Sequence, residues 1–179
     1  MMVPTKKDST VDKIRKVIFD VAILVFIGSC TYLINYYGQS DHNAKFYDGV
    51  AGLLGNGEVR ENYPRAYLTK FASLWEMNED IVGWLSIDGT QVNYPVVQSD
   101  DNDYYLHKDF SKADNKYGIP FADYRVDISK PSTNIPIYSH NMKDGQMFGE
   151  LINYQSLDYY KQHPVIQFDS LYEEGKYKI

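Results

Sequence analysis

Ile135-Pro136-Ile137-Tyr138-Ser139-His140-Asn141-Met142 is an apolar, β-prone run that ends at a histidine, and the polar, turn-forming residues Lys143, Asp144 and Gly145 follow it. A strand that carries an imidazole to its own end, where loop backbone can shape a cleft, is a common mount for a general base. Taken alone, such a histidine is as readily a surface or hydrogen-bonded side chain. Its meaning comes from the segments around it.

Working outward, short β-prone runs alternate with turns. Val82–Ile87 and Gln91–Gln98 flank Asp88-Gly89-Thr90, a turn-forming tripeptide, and together predict a hairpin. Pro95 has no amide hydrogen, which places its part of the second run at an edge or a bulge. Gly118–Ala122 and Val165–Phe168 read as strands, and Lys176–Ile179 opens another after a turn at Glu173–Gly175. Leu68, Phe71, Ala72 and Trp75 fall at the spacing of a one-faced helix, with Pro64 at its start and Asn78 at its stop. Asp144 predicts a helix through Tyr154 with a stripe of Met147, Phe148, Leu151 and Ile152. Ser156 caps a shorter helix that ends before Pro164. The body is therefore expected to be mainly β with flanking helices, an α+β arrangement.

The chain has 179 residues and a formal charge of −6. Residues 35–179 carry 13 Lys and Arg against 21 Asp and Glu. With no basic face in view, a nucleic-acid partner is not expected. The N-terminus is different. Lys6, Lys7, Lys13, Arg15 and Lys16 precede Val17–Ile34, which is interrupted only by Asp20. A buried core helix would show a polar face, and a cleaved signal peptide would end in small residues. Neither is present. Tyr32, Tyr36 and Tyr37 suit a membrane interface, so an uncleaved signal anchor is favoured. The expected organisation is a cytoplasmic basic tail (1–16), a transmembrane anchor (17–34), a stalk or linker (35–63) and an extracellular domain (64–179). Cys30 is the only cysteine and lies in the apolar segment, so the body has neither disulfide nor thiol. The acidic run Asp100–Asp103 lacks the glycine and terminal Glu of an EF-hand loop and reads as a solvated loop or helix cap. His107, His140 and His163 lack ligand-like spacing, no Gly-x-Ser-x-Gly elbow exists, and no cofactor is expected.

Five blocks in order resemble class B sortases: Asn78–Thr90, Asn93–Gln98, Asp101–Leu106, Phe121–Arg125 and Tyr138–Phe148. The resemblance implies a membrane-anchored cysteine transpeptidase of Gram-positive bacteria on a sortase-type β-barrel. Such an enzyme cleaves the C-terminal sorting signal of a surface protein. It then joins that protein to the cell wall, with a peptidoglycan precursor or cross-bridge as acceptor. His140 matches the catalytic histidine, Tyr138 a residue beside it in the cleft, and Asn102 and Leu106 the wall of the substrate groove. Ser139 stands where the family usually has Gly. The family's nucleophilic cysteine and oxyanion arginine have no counterpart here, since no Cys follows residue 30 and the last Arg is Arg125. The run Lys176–Ile179 stops within a β pattern, so the barrel is expected to be incomplete at the C-terminus and the chain truncated. An inactive pseudoenzyme that binds a sorting peptide or partner without cleaving it is the alternative.

Overall fold

The computed structural model describes residues 10–55, 68–130, 132 and 134–179. The chain divides into two compact units, Met1–His42 and Asn43–Ile179. Helix α1 (Thr10–Ala51) is long and apolar enough to cross a membrane, and its most apolar window is unburied. Its last turns belong to the second unit, where Asn43, Tyr47 and Val50 are buried. Part of the segment read as a linker is thus helical and packed. The rest of that linker, and the helix start at Pro64, lie outside the described residues.

The second unit is built on one mixed sheet in the order β4-β3-β2-β1-β5-β6. Its strands are β1 (Ile81–Ser86), β2 (Asn93–Val97), β3 (Phe121–Ala122), β4 (Ile137–Tyr138), β5 (Val165–Ser170) and β6 (Glu174–Lys178). Every pairing is antiparallel except β2 with β3, which meet in parallel at Val97 and Phe121. The β1–β2 hairpin forms where the turn residues put it. Gly89 takes the left-handed φ of 75° the turn needs, and the Thr90 hydroxyl donates to the Ile87 carbonyl at 2.8 Å. Pro95 lies opposite Trp84 inside the sheet. Because β2 touches β3 only at Val97, the missing donor interrupts no ladder there. The register irregularity falls between Ile81 and Gly83, opposite that end of β2.

Packing follows from these faces. Val96 and Val97 of β2 are fully buried, as are Leu74, Ile81, Tyr105, Phe110 and Ile119. Each large apolar side chain so enclosed contributes about 1.5–3 kcal/mol. A short 3₁₀ turn (Thr69–Phe71) leads into α2 (Ala72–Met77), and Asn78 ends it as expected, its amide donating to the Leu74 carbonyl. Lys70 reaches from that turn to the β5–β6 hairpin, with Nζ 2.7 Å from both Asp169 and Glu174. Its charge offsets burial of the Asp169 carboxylate, which stays below its ordinary range even though burial alone would raise it.

The helix expected over Asp144–Tyr154 does not form as one piece. Met147 sits at φ 54°, outside any helix, with its side chain fully buried and its amide bound by the Tyr94 hydroxyl at 3.1 Å. Asp144 caps a turn instead, accepting from the Gln146 amide. Only Gly149–Gln155 is helical, as a 3₁₀ segment. The shorter helix α3 (Leu157–Gln162) begins at Ser156, whose side chain accepts from the Tyr159 amide.

Candidate active site

His140 lies two residues beyond Tyr138, the last residue of β4, at the start of the polar loop. Its backbone carbonyl accepts from the Phe148 amide at 2.9 Å, and the Asn141–Met147 bridge closes the loop behind it. The ring Nε2 is 2.8 Å from the carbonyl of Leu106. Leu106 ends a 3₁₀ turn (Tyr104–Leu106) that Asp101 caps, its Oδ1 accepting from the amides of Asp103 and Tyr104 at 2.8 Å each. Those two donors hold the Asp101 carboxyl below its ordinary range. Part of the acidic run is therefore a cap. Among the described residues, no group of three or more His, Cys, Asp or Glu is placed to hold a metal ion.

Asn102 and Tyr138 meet on a residue that the sequence did not single out. Asp123 follows β3 directly, and its side chain is only 2% exposed. Its Oδ2 accepts from Tyr138 Oη at 3.1 Å and from Asn102 Nδ2 at 3.2 Å. Arg125 clasps both carboxylate oxygens, Nε to Oδ1 at 2.8 Å and a terminal nitrogen to Oδ2 at 2.7 Å. Arg125 foremost holds the Asp123 carboxyl well below the usual carboxylate range, and Asn102 and Tyr138 add to this. All four residues expected at the cleft are thus tied to one another's segments. His140 and Leu106 meet directly, while Tyr138 and Asn102 share Asp123. The only sequence sign of Asp123 was its place two residues before Arg125 in the Phe121–Arg125 block.

The sign of this shift fixes a pH dependence. A carboxyl with a folded-state pKa below its unfolded value near 4 stabilises the fold fully above about pH 5. That contribution is lost as the pH falls toward the folded value. Asp123→Asn should therefore shallow the fall in the urea midpoint between about pH 5 and pH 2, with a residual slope from Asp101, Asp114, Asp127 and Asp169. An unchanged slope would mean that Asp123 is not ionised by its neighbours.

Ser139 adopts no left-handed backbone, so it fits the strand end without strain. Its hydroxyl is buried, and among the described residues it has no partner. An apolar cavity of about 390 Å³ lies on the Ile137 side of β4, lined also by Leu85, Phe148 and Phe168. None of the four cleft residues lines it, so it is distinct from the candidate site.

No family model matches the chain. It is 41% identical over 130 residues to Sortase B of Listeria monocytogenes, covering 73% of this chain and 50% of that protein. Among solved structures it superposes on sortase B from Bacillus anthracis in complex with AAEK1, with a TM-score of 0.72 and 32% identity. That match covers 79% of this chain and 67% of the other. A Staphylococcus aureus sortase B–substrate complex gives a TM-score of 0.69 at 28% identity, over 78% and 64% of the two chains. The chain spans half the length of its Listeria relative. On these similarities in sequence and in fold, the chain belongs to the class B sortase family.

Proposed function

We propose that this chain provides the membrane-bound, histidine-bearing part of a sortase B-type cysteine transpeptidase acting on the C-terminal sorting signal of surface proteins. The observation that carries the reading is the His140 ring held on the Leu106 carbonyl, with Tyr138 and Asn102 from the same two segments joined through Asp123. In this chemistry a thiolate attacks the scissile carbonyl and forms a thioester. The imidazolium gives its proton to the departing amine, and a cell-wall amine then displaces the thiol. A neighbouring sortase B structure is a substrate complex, which supports a substrate-binding role for this chain. Within residues 1–179 the thiol is missing from the body, because Cys30 lies in α1. Arg125, the last arginine in the sequence, clasps Asp123 through two of its donors. For the 179-residue polypeptide itself, these two facts favour binding without turnover.

The test is to join the C-terminal segment of a class B sortase to residue 179 and supply a sorting peptide. Turnover that disappears in His140→Ala supports the reading. A folded fusion that is inactive, or that ignores His140→Ala, refutes it.

The membrane part of the proposal is a signal anchor at residues 17–34, with the basic N-terminus cytoplasmic and the body outside. Its support is the apolar helix α1 and the preceding Lys and Arg residues. Protease added to intact protoplasts should remove the body. A fully protected body would reverse the topology.

A further inference from the structure

The carbonyl that holds His140 is itself hemmed in by a glycine. A carbonyl has no proton to give, so Nε2 must carry the hydrogen across the 2.8 Å contact. In the neutral ring, Nδ1 is then the nitrogen with the free lone pair. Behind the carbonyl stands Gly118 at φ 58°. A β-carbon there would lie 2.7 Å from the oxygens of both Leu106 and Tyr105. Both obstacles are backbone, so neither can swing aside as the end of a side chain would.

Gly118 is pinned in turn. Its amide donates to the Asn115 carbonyl at 3.1 Å, and its own carbonyl accepts from the Tyr47 hydroxyl at 2.9 Å. Tyr47 lies in the last turns of α1 and is 4% exposed. The next amide, Ile119, donates to the Tyr105 carbonyl at 3.1 Å, locking this strand of backbone against the 3₁₀ turn. A continuous series of contacts thus runs from Tyr47 through Gly118 and the Leu106 carbonyl to the imidazole.

We propose that Tyr47, Gly118 and the Leu106 carbonyl are positioning groups that fix His140 as its Nε2–H tautomer and leave Nδ1 facing the chemistry. The proposal deepens the function proposed above and rests on His140 being the acid–base group of the cleft. It makes the end of α1 a support of the site as well as a tether. A stretch of backbone fixes the tautomer here, where many sites use a carboxylate.

The test uses the full 179-residue chain, labelled with ¹⁵N-histidine, in detergent micelles at about pH 8, where an ordinary imidazole is neutral. His140→Gln assigns the His140 signals among the four histidines. Two-bond correlations in the ring then report which nitrogen carries the proton. The expected result is a single Nε2–H pattern in the parent chain and its loss in Gly118→Ala. Tyr47→Phe, which removes one hydroxyl, should add a second set of His140 signals. Gly89→Ala is the control, because that glycine is also left-handed but its β-carbon would meet His163. It should move the His163 signals and leave those of His140 in place. An Nδ1–H pattern in the parent chain, or the parent pattern in folded Gly118→Ala, would overturn the proposal. Should Gly118→Ala not fold, an unaltered pattern in Tyr47→Phe would overturn it. The ring signals need no turnover. An inactive fusion with the expected signals would therefore sink the function and leave the positioning role standing.

Discussion

A polypeptide of residues 1–179 is expected neither to cleave nor to join a sorting peptide, and a thiol-alkylating reagent should label nothing between Thr31 and Ile179. Transpeptidation of this type needs a nucleophile, a proton-transfer group and an oxyanion donor that act as a unit. Losing the nucleophile alone removes on the order of 10⁶-fold in rate in a comparable triad. The neighbouring hydroxyl does not substitute. The Ser139 Oγ is buried and, among the described residues, makes no hydrogen bond to His140 or to any other group. The measurement is product formation from a sorting peptide, with and without an amine acceptor. Turnover by the unmodified chain that vanishes in His140→Ala would reveal another nucleophile and detach this protein from sortase chemistry.

Tyr105→Ala should be the most damaging single substitution beneath the site, lowering the stability of the body by about 3–5 kcal/mol. The ring is completely buried and packs edge-on against Tyr104, with centroids 4.9 Å apart. Its hydroxyl donates to Asp80 at 2.5 Å and accepts from Asn78 Nδ2 at 3.1 Å. Burial first, then the Asp80 carboxylate, pushes the phenol far above its ordinary pKa, so it remains a donor throughout the working pH range. Truncation leaves a cavity under the turn that presents the Leu106 carbonyl. Tyr105→Phe keeps the ring and should cost only about 1 kcal/mol, since Lys112 still pairs with Asp80 and the Phe110 carbonyl still accepts from Asn78. Urea midpoints of the two variants separate packing from hydrogen bonding. Equal losses in both would show that the ring packing is unimportant.

The parts of this molecule that could be read in advance are those governed by neighbours in sequence. The β1–β2 turn needs only Asp88-Gly89-Thr90, and α3 needs only Ser156 and the proline that follows. The placement of His140 just past the end of a strand was legible because that strand and the loop adjoin it in sequence. The missed features depend on contacts across long stretches of chain. Met147 is held in a left-handed conformation by a buried side chain and by the Tyr94 hydroxyl, 53 residues away. A helical stripe was therefore the wrong period for that loop. Asp123 draws its partners from two other segments, and the group that holds His140 is a carbonyl, which every residue possesses. Residue identity carries no mark of such a role. The stretch from Asn35 to Gly57 reads as a stalk or linker because it is polar and contains glycines, yet within it the Asn43 amide is buried against Gln146, 103 residues on.

That buried amide has a mechanical consequence. Asn43 gives Nδ2 to Gln146 at 2.7 Å and receives the Asn115 amide on Oδ1 at 2.9 Å, while Tyr47 and Val50 supply the grease around it. A one-residue slip would turn Asn43 by about 100°, breaking both of its hydrogen bonds and carrying the buried Tyr47 and Val50 out of place with it. The joint works as a keyed shaft, admitting the end of α1 in one phase and one depth.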